Sequence, residues 1–352
     1  MEIGQSFSDL PKNSTTYIIS KAEQKSAYDS LPPAQKSSLD SIHARVKTFA
    51  SAQRAAITNI EIPIPGGFAG HKVTACKTAG CYAPGGRYPL PSSVVMTCAT
   101  ARAAGCDVVV LSTPNPQLIT KAAGYVAGCD VFVAVGGAQA IAAMAYGVKG
   151  NGGEMEDIPP CDVICGPGNK WVTAAKSLVN GHCGIDMLAG PSEVLVICDD
   201  TADVKVVASD LIAQAEHDVV ARPILVSDNE DVVNGIIAEC KVQLSTLPSP
   251  NRETATTAFG TGFAVICGDI EECVRVSDSI APEHLEIQTL DHQAVADSCR
   301  CYGGLFIGTR AAEVLGDYGA GPNHTLPTGG TGRYTGGLSV FRLVRGGWEV
   351  LY

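Results

Sequence analysis

Residues 130–147, DVFVAVGGAQAIAAMAYG, carry the pattern that decides the fold. The run DVFVAV has the length and composition of a buried strand, and AQAIAAMAY has those of a helix. Gly136-Gly137 between them marks a tight turn. Residues 131–148 are apolar apart from Gln139, but the two glycines leave pieces that are each too short to span a bilayer. We therefore predict a strand, a turn and a helix rather than a membrane span.

The same alternation continues on both sides of this stretch. Apolar strands at 107–114 and 162–165 alternate with helical segments at 92–105, 117–128 and 170–179. Short, continuously apolar strands separated by helices predict a parallel, doubly wound sheet. Upstream of these repeats, residues 21–56 have helical periodicity and residues 61–76 resemble a hairpin.

Three loops that follow strands of this sheet combine glycines with a polar side chain. They are GCYAPGG with Tyr82, GGAQ with Gln139 and GPGN with Asn169. Loops at the carboxyl ends of parallel strands are where such sheets bind nucleotides. None of the three has the GxGxxG spacing. Two interpretations of these loops therefore remain: a nucleotide-binding site and an ordinary set of tight turns.

A second series of strands and helices begins near residue 185. Apolar strands within MLAGPSEVLVICDD, PILVSD, GTGFAVICGD, APEHLEIQT and GGLFIGT alternate with helical segments of similar length to those of the first series. The predicted fold class is therefore α/β, with two Rossmann-like units that have parallel sheets.

Composition narrows the functional classes. A chain of 352 residues has room for about two domains. Its formal charge of −11 disfavours nucleic acid and anionic membranes as partners. The 14 cysteines lack zinc-finger spacing and are expected to be reduced core residues of an intracellular protein. The first residues have no basic stretch followed by an apolar one, so we expect no signal peptide and a cytoplasmic location.

The helix predicted at 203–218, DVKVVASDLIAQAEHD, has polar groups on one face. Gln214 and His217 are three residues apart and share that face, with Asp210 one turn below Gln214. An amide oxygen and an imidazole on a rigid helix can ligate a metal or hold a polar substrate. The alternative is a helix end whose polar groups face water.

Three further places collect groups with chemistry. Glu283-His284 puts a carboxylate beside an imidazole, both suited to proton transfer, and side chains adjacent in an extended loop are expected to point to opposite sides. Asp317 and His324 lie in a glycine-rich segment predicted to be a loop. Ser192 links the two units.

Seven motifs in a fixed order resemble the histidinol dehydrogenase family. The resemblance runs from about residue 27 to residue 342 and rests on GCYAPGG, VGGAQAIAAMAYG, GPGNKWVTAAK, IDMLAGPSEVLV, SDLIAQAEHD, APEHLEI and GDYGAGPNHTLPT. It implies an aldehyde/histidinol-dehydrogenase-like architecture and a zinc-dependent enzyme. Such an enzyme uses two NAD to oxidise a small amino alcohol through its aldehyde to the carboxylate.

The resemblance also implies a role for each candidate residue. Tyr82, Gln139 and Asn169 would bind NAD, and Gln214, His217 and Asp317 would hold Zn²⁺. His284 would take the alcohol proton, and Glu283 would activate water on the aldehyde. The implied substrate-binding residues are Ser192, Gln214, His217, His284, Asp317 and His324.

Domain organisation and assembly follow from the same comparison of motifs. Residues 1–81 and 192–330 are predicted to form a discontinuous zinc- and substrate-binding α/β domain, and residues 82–191 the NAD-binding α/β domain. Residues 331–352 would be a short C-terminal segment. The expected partners are a small-molecule alcohol and a second copy of the chain in a homodimer, with no nucleic acid and no membrane.

The chain departs from the family pattern in four places. Family members continue into a tail that gives the neighbouring subunit a substrate glutamate and a zinc-ligand histidine, whereas no histidine follows His324 here. We therefore expect a more open site that binds zinc more weakly. Arg87, Leu188 and the GGTGRYTGG segment are more like paralogues that oxidise other alcohols, including a sulfonated propanediol. Arg87 could serve an anionic group or a surface salt bridge. A non-catalytic remnant that binds nucleotide or metal is the alternative from a different class.

Overall fold

The computed structural model describes residue 9 and residues 16–85, 89–150, 157–318 and 320–351, the side chain of residue 318 excepted. The chain forms two compact units. The first consists of Met1–Leu188, Tyr318–Thr325 and Leu338–Tyr352, and the second of Ala189–Asp317 and Leu326–Gly337.

The first unit is built on a largely parallel sheet. Its strands are β1 (Ile18–Ile19), β2 (Ile60–Ile64), β3 (Gly67–Ala75), β4 (Thr78–Tyr82), β5 (Val108–Ser112), β6 (Val131–Val133), β7 (Val163–Cys165), β8 (Gly184–Ile185) and β14 (Val344–Leu351). The main sheet has the order β1-β6-β5-β4-β7-β8, in which β4 to β8 are parallel and β1 pairs antiparallel with β6. Among the parallel strands, the central β4 therefore comes first in the sequence. β5 and β6 follow on one side of it, and β7 and β8 then follow on the other.

Helices cover both faces of this sheet. They are α1 (Lys21–Asp29), α2 (Pro33–Ala55), α3 (Pro91–Ala104), α4 (Leu118–Val126), α5 (Gly137–Tyr146) and α6 (Lys170–Val179). Val109 and Leu111 of β5 pack in the core that holds α3, whereas Val110 packs on the opposite face with Ile141 of α5. The strand period of two places successive residues in two different cores, so both faces of β5 must be apolar.

The predicted hairpin is confirmed, and β14 extends it. A two-residue turn, Pro65-Gly66, joins β2 to β3, and Gly66 adopts φ 88°, a conformation that favours glycine. β14 pairs antiparallel with β3 along its full length. The segment 331–352, predicted to stand apart, thus contributes a strand to the first unit.

The second unit repeats the topology of the first. Its strands are β9 (Glu193–Cys198), β10 (Arg222–Ser227), β11 (Phe263–Ile266), β12 (His284–Gln288) and β13 (Gly304–Ile307). Its helices are α7 (Val204–His217), α8 (Glu230–Thr246), α9 (Asn251–Ala258), α10 (Ile270–Ile280), α11 (His292–Ser298) and α12 (Val314–Tyr318). The last residue of α12, Tyr318, is grouped with the first unit. The sheet is fully parallel with the order β11-β10-β9-β12-β13, the same winding as β6-β5-β4-β7-β8. Two Rossmann-like units with parallel sheets are therefore confirmed.

Helix α7 forms as its sequence predicts. The Asp203 side chain accepts a hydrogen bond from the backbone N–H of Lys205 at 2.9 Å, which caps the helix. Val207, Leu211 and Ala215 are buried, and the first two pack against Val194 and Val196 of β9. The polar residues of the helix are thereby held in a fixed orientation above the sheet.

The units are grouped differently from the predicted domains. Residues 1–81 were predicted to join residues 192–330, but β4 is a central strand of the first sheet and α2 packs on α3. The return segments 318–325 and 338–352 also belong to the first unit. The helical stretch 21–56 is divided by Ser30–Pro32 into α1 and α2. Local periodicity finds elements, but which sheet receives them depends on pairings between residues far apart in the sequence.

Two features bear on the compositional predictions. All 14 cysteines are free thiols, and most are buried, which agrees with their predicted role as small core residues. Within the described residues, no helix combines the length and hydropathy needed to cross a membrane.

Candidate functional site

The three predicted nucleotide-binding residues lie at the carboxyl ends of strands of the first sheet, which we call its carboxyl edge. Tyr82 ends β4, Gln139 is in the first turn of α5 after β6, and Asn169 precedes α6 after β7. Because β4, β6 and β7 run parallel within this sheet, all three residues are at its carboxyl edge. The winding reverses between β4 and β7, which is the position where doubly wound sheets bind nucleotides.

Close backbone contacts shape this edge. The backbone N–H of Gly137 donates to the Tyr82 hydroxyl at 3.1 Å. Gly166 adopts φ 113°, and a Cβ at that position would lie 2.0 Å from the carbonyl oxygen of Tyr82. Gly166 therefore cannot be replaced without moving one of the two loops.

A buried ion pair holds the Gly166 turn from behind. Lys176 Nζ pairs with the Asp186 carboxylate and also donates to the Gly166 carbonyl at 2.9 Å. Asp186 accepts from the N–H groups of Gly166 and Met187, each at 2.7 Å. The two charged side chains are 3% and 0% exposed. Both backbone polar groups of Gly166 are thus fixed by one pair of charges, which no sequence motif had indicated.

The donor set at this edge fits a dinucleotide. The N-termini of α5 and α6 both lie at this edge, and helix N-termini bind phosphate. Asn169 has a structural task as well, because its side chain accepts from the N–H groups of Trp171 and Val172 at 3.0 and 3.2 Å. Burial raises the pKa of Tyr82, whose hydroxyl therefore stays protonated at neutral pH.

The predicted proton-transfer pair is in the second unit, at the amino ends of β9 and β12. The Glu283 carboxylate accepts from the Glu193 backbone N–H at 3.0 Å and is hydrogen-bonded to the Ser192 side chain. His284 Nδ1 lies 3.1 Å from the Glu193 carbonyl oxygen and 3.8 Å from Glu283 Oε2. The two side chains therefore approach each other, contrary to the expectation that they point to opposite sides. The reason is that both bind the backbone of Glu193 on the neighbouring strand.

This arrangement defines what each group can do. A carbonyl oxygen can only accept, so His284 donates from Nδ1 and its Nε2 is the basic nitrogen of the neutral ring. Burial raises the pKa of Glu283 well above its ordinary value, and the carboxylates of Glu193 and Asp317 raise it further. The Glu193 N–H and the Ser192 hydroxyl act in the opposite direction. A carboxylate with a raised pKa is a stronger base towards water.

The three predicted zinc ligands also lie in the second unit. Gln214 and His217 are in the last turns of α7, with Gln214 buried and His217 exposed. Asp317, predicted in a loop, is on the short helix α12 and near enough to Glu283 and Glu313 to raise the pKa of both.

Gln214 provides the test of whether a metal fits. Its Oε1 is buried and has no hydrogen-bond partner among the described residues. An unsatisfied buried oxygen costs about 1–3 kcal/mol, so a ligand for it is expected. No three His, Cys, Asp or Glu side chains in the described part of the chain form a metal cluster, so the amide oxygen would have to complete the set. One imidazole nitrogen with an amide and a carboxylate oxygen is a donor set that Zn²⁺ accepts.

Replacing Gln214 by leucine separates the metal role from a structural one. Gln214→Leu removes the unsatisfied oxygen, so the metal-free protein is expected to be as stable as the parent or more stable by about 1–3 kcal/mol. Loss of a ligand is expected to weaken zinc binding by at least roughly 10-fold. Thermal unfolding with and without added zinc measures both effects. An undiminished zinc-induced shift in Gln214→Leu would exclude the amide as a ligand.

A network of buried polar groups connects β12 with α7 and had no sequence signal. Asp210, predicted one turn below Gln214, accepts from Gln288 Nε2 at 2.8 Å. Glu286 accepts from the Glu313 backbone N–H at 2.9 Å and is hydrogen-bonded to Asp210. Burial and the neighbouring Asp210 raise the pKa of Glu286 to about 8, so the pair holds a proton at neutral pH.

The remaining candidate residues have separate environments. The side chain of Ser192, which is predicted to contact substrate, is hydrogen-bonded to the Glu283 carboxylate. His324 is in the first unit, where Nε2 lies 3.5 Å from the Ser93 hydroxyl. Arg87, the candidate for an anionic group, lies outside the described residues.

Comparison with known proteins covers nearly the whole chain. A family model described as histidinol dehydrogenase matches residues 1–346. A histidinol dehydrogenase of Parasynechococcus marenigrum is 41% identical over 335 residues, which are 93% of this chain and 74% of that protein. A sulfopropanediol 3-dehydrogenase of Ruegeria pomeroyi is 38% identical over 337 residues, 93% of this chain and 75% of that protein. The crystal structure of histidinol dehydrogenase from Elizabethkingia anophelis superimposes with a TM-score of 0.90 at 30% identity and covers 99% of this chain and 79% of that one.

Proposed function

The chain belongs to the histidinol dehydrogenase family, whose members are NAD-dependent oxidoreductases that act on an alcohol, and we propose that it oxidises L-histidinol through histidinal to L-histidine. The observation that carries the proposal is the site around Glu193. There, a buried carboxyl and an imidazole are held by the same backbone unit, with Nε2 of the imidazole basic. A two-step oxidation needs one base for the alcohol proton and one for water, and the site offers both.

Each step uses one of the two bases. When bound, NAD would supply the hydride acceptor and zinc a Lewis acid that orients the substrate oxygen and nitrogen. His284 Nε2 accepts the hydroxyl proton of the alcohol in the first oxidation. Glu283 then takes a proton from the water that attacks the aldehyde carbon. Because Glu283 is buried, its carboxylate gains a proton more readily than an exposed one would, which suits this second role.

The cofactors are assigned to the two units as follows. Tyr82, Gln139 and Asn169 bind NAD in the first unit, supported by the helix N-termini at the carboxyl edge of its sheet. Gln214, His217 and Asp317 hold zinc in the second unit, supported by the unsatisfied Gln214 oxygen. Ser192 and His324 complete the proposed substrate contacts. We further propose that the protein is a homodimer and that it is located in the cytoplasm. Sedimentation of the purified protein would measure the oligomeric state.

Oxidation of a different polar alcohol is the second candidate. It is supported by the sulfopropanediol 3-dehydrogenase, which is nearly as similar to this chain as the histidinol dehydrogenase is. The test is steady-state NAD reduction with L-histidinol and with 2,3-dihydroxypropane-1-sulfonate, each with and without zinc. A higher kcat/KM for L-histidinol supports the first proposal, and a higher value for the sulfonate supports the second. No reduction with either alcohol in the presence of zinc contradicts both.

Glu283→Gln is expected to separate the two oxidations. The amide keeps the hydrogen bond from the Glu193 N–H but cannot accept a proton from water, so aldehyde oxidation should fall by about 100-fold. Alcohol oxidation, which uses His284, should fall by less than about 10-fold. Single-turnover experiments that start from the alcohol or from the aldehyde measure the two steps. Equal losses on both steps would contradict the division of roles.

A further inference from the structure

A second buried glutamate stands next to the proposed base. Glu313 immediately precedes α12, and its Oε2 lies 3.4 Å from His284 Nδ1. The two side chains are 12% and 14% exposed, so little water separates them from each other or screens them. The Glu313 backbone N–H donates to Glu286 Oε1 at 2.9 Å, which fixes the start of α12 against β12.

The contact is an ion-pair distance but not a hydrogen bond. Glu313 Oε2 is buried and has no hydrogen-bond partner within the described residues. The Nδ1 hydrogen of His284 is directed instead to the Glu193 carbonyl at 3.1 Å. A buried carboxylate oxygen in this position gains a strong partner only when the ring becomes a cation and draws the two groups together.

The environment of Glu313 supports this coupling. Burial raises its pKa, and the carboxylates of Glu286, Asp317 and Glu283 raise it further. The ionised form is therefore unfavourable unless a positive charge is close. The imidazolium of His284 is a cation that can form within reach of its carboxylate.

We propose that Glu313 is a positioning residue for His284: it holds the tautomer with Nδ1 protonated and stabilises the imidazolium that forms when Nε2 takes the alcohol proton. The inference deepens the proposed function and rests on it, because His284 must be the base. Glu313 touches His284 rather than the reacting atoms, so its effect on the rate passes through the ring.

The first test is a double-mutant cycle. Glu313→Gln keeps the size of the side chain and removes the charge. We expect it to lower kcat for alcohol oxidation by about 10- to 100-fold, with the dissociation constant for NAD changed less than about threefold. In a His284→Asn background, Glu313→Gln should change the residual rate by less than about twofold. An equal effect in both backgrounds, or no effect in the parent, would overturn the proposal. Glu271→Gln makes the same chemical change at an exposed position of α10 and should leave all rates unchanged.

A second measurement tests the pair without turnover. The ¹⁵N shifts of the His284 ring report which nitrogen is protonated, and the parent is expected to show Nδ1–H. Glu313→Gln should raise the population of the other tautomer, whereas Glu313→Asp, which keeps the charge, should stay closer to the parent. Identical ring shifts in all three proteins would overturn the proposal. An active His284→Asn enzyme would instead contradict the assignment of His284 as base, and the two failures are therefore distinguishable.

Discussion

His284→Asn is expected to lower kcat for alcohol oxidation by about 10²- to 10⁴-fold, the range that a positioned general base contributes. Asparagine has nearly the same reach and can still donate a hydrogen bond to the Glu193 carbonyl, which His284 Nδ1 contacts at 3.1 Å. It has no basic nitrogen to receive the hydroxyl proton. The loss should therefore fall on the chemical step and leave folding and NAD binding nearly intact.

The measurement compares turnover with cofactor affinity in the same protein. The dissociation constant for NAD should stay within a few-fold of the parent, because Tyr82, Gln139 and Asn169 are in the other unit. His292→Asn is the matched control, since His292 Nδ1 also lies near a backbone carbonyl, that of Thr289 at 3.3 Å, away from the proposed site. A His284→Asn enzyme with parental turnover would remove the proposed base.

Sequence patterns were sufficient for the fold class because the main sheet of each unit is parallel, apart from β1, and is covered on both faces. The stretches VVVL at 108–111 and VLVIC at 194–198 are apolar throughout, as burial on two sides requires. The order of strands, helices and glycine turns then leaves few possible topologies. The same reasoning placed Tyr82, Gln139 and Asn169 at one edge of the sheet, as the structure has them.

Long-range pairing could not be derived in this way. The strand VRGGWEVL at 344–351 contains two glycines and gives a weak local signal, and it forms along β3, which is more than 250 residues away in the sequence. Residues 1–81 were likewise assigned to the other unit. Nothing in their periodicity indicates that β4 is a central strand of the first sheet.

Buried polar contacts were the other omission. HLEIQ at 284–288 alternates polar and apolar residues, which on its own indicates a strand with one face in water. In the structure Glu286 and Gln288 are buried, and each is hydrogen-bonded to Asp210 of α7. Glu193 and Glu313 were missed for a similar reason, because the Glu193 backbone carbonyl and the Glu313 carboxylate meet His284 only across strands and loops. A charged residue gives no sign in the sequence of whether its partner is water or a distant side chain.

Lys176→Met is expected to destabilise the first unit by about 3–5 kcal/mol, the usual result of leaving one member of a buried ion pair alone. Methionine fills the space of the aliphatic stem but leaves the Asp186 carboxylate, which is fully buried, without its cation. The Gly166 carbonyl loses its partner as well. Urea unfolding followed by tryptophan fluorescence measures the change. Lys170→Met, at the exposed first residue of the same helix, is the control that should cost less than about 0.5 kcal/mol.

The double variant Lys176→Met/Asp186→Leu shows whether the pair serves stability or the shape of the loop. An apolar pair of similar volume commonly restores stability, so the double variant should recover most of the loss. It cannot restore the hydrogen bonds that Asp186 accepts from the N–H groups of Gly166 and Met187. If those bonds hold the turn that faces the nucleotide, the double variant will be stable yet bind NAD at least roughly 10-fold more weakly than the parent. Recovery of stability together with parental NAD affinity would mean that the buried charges stabilise the fold and have no part in shaping the cofactor loop.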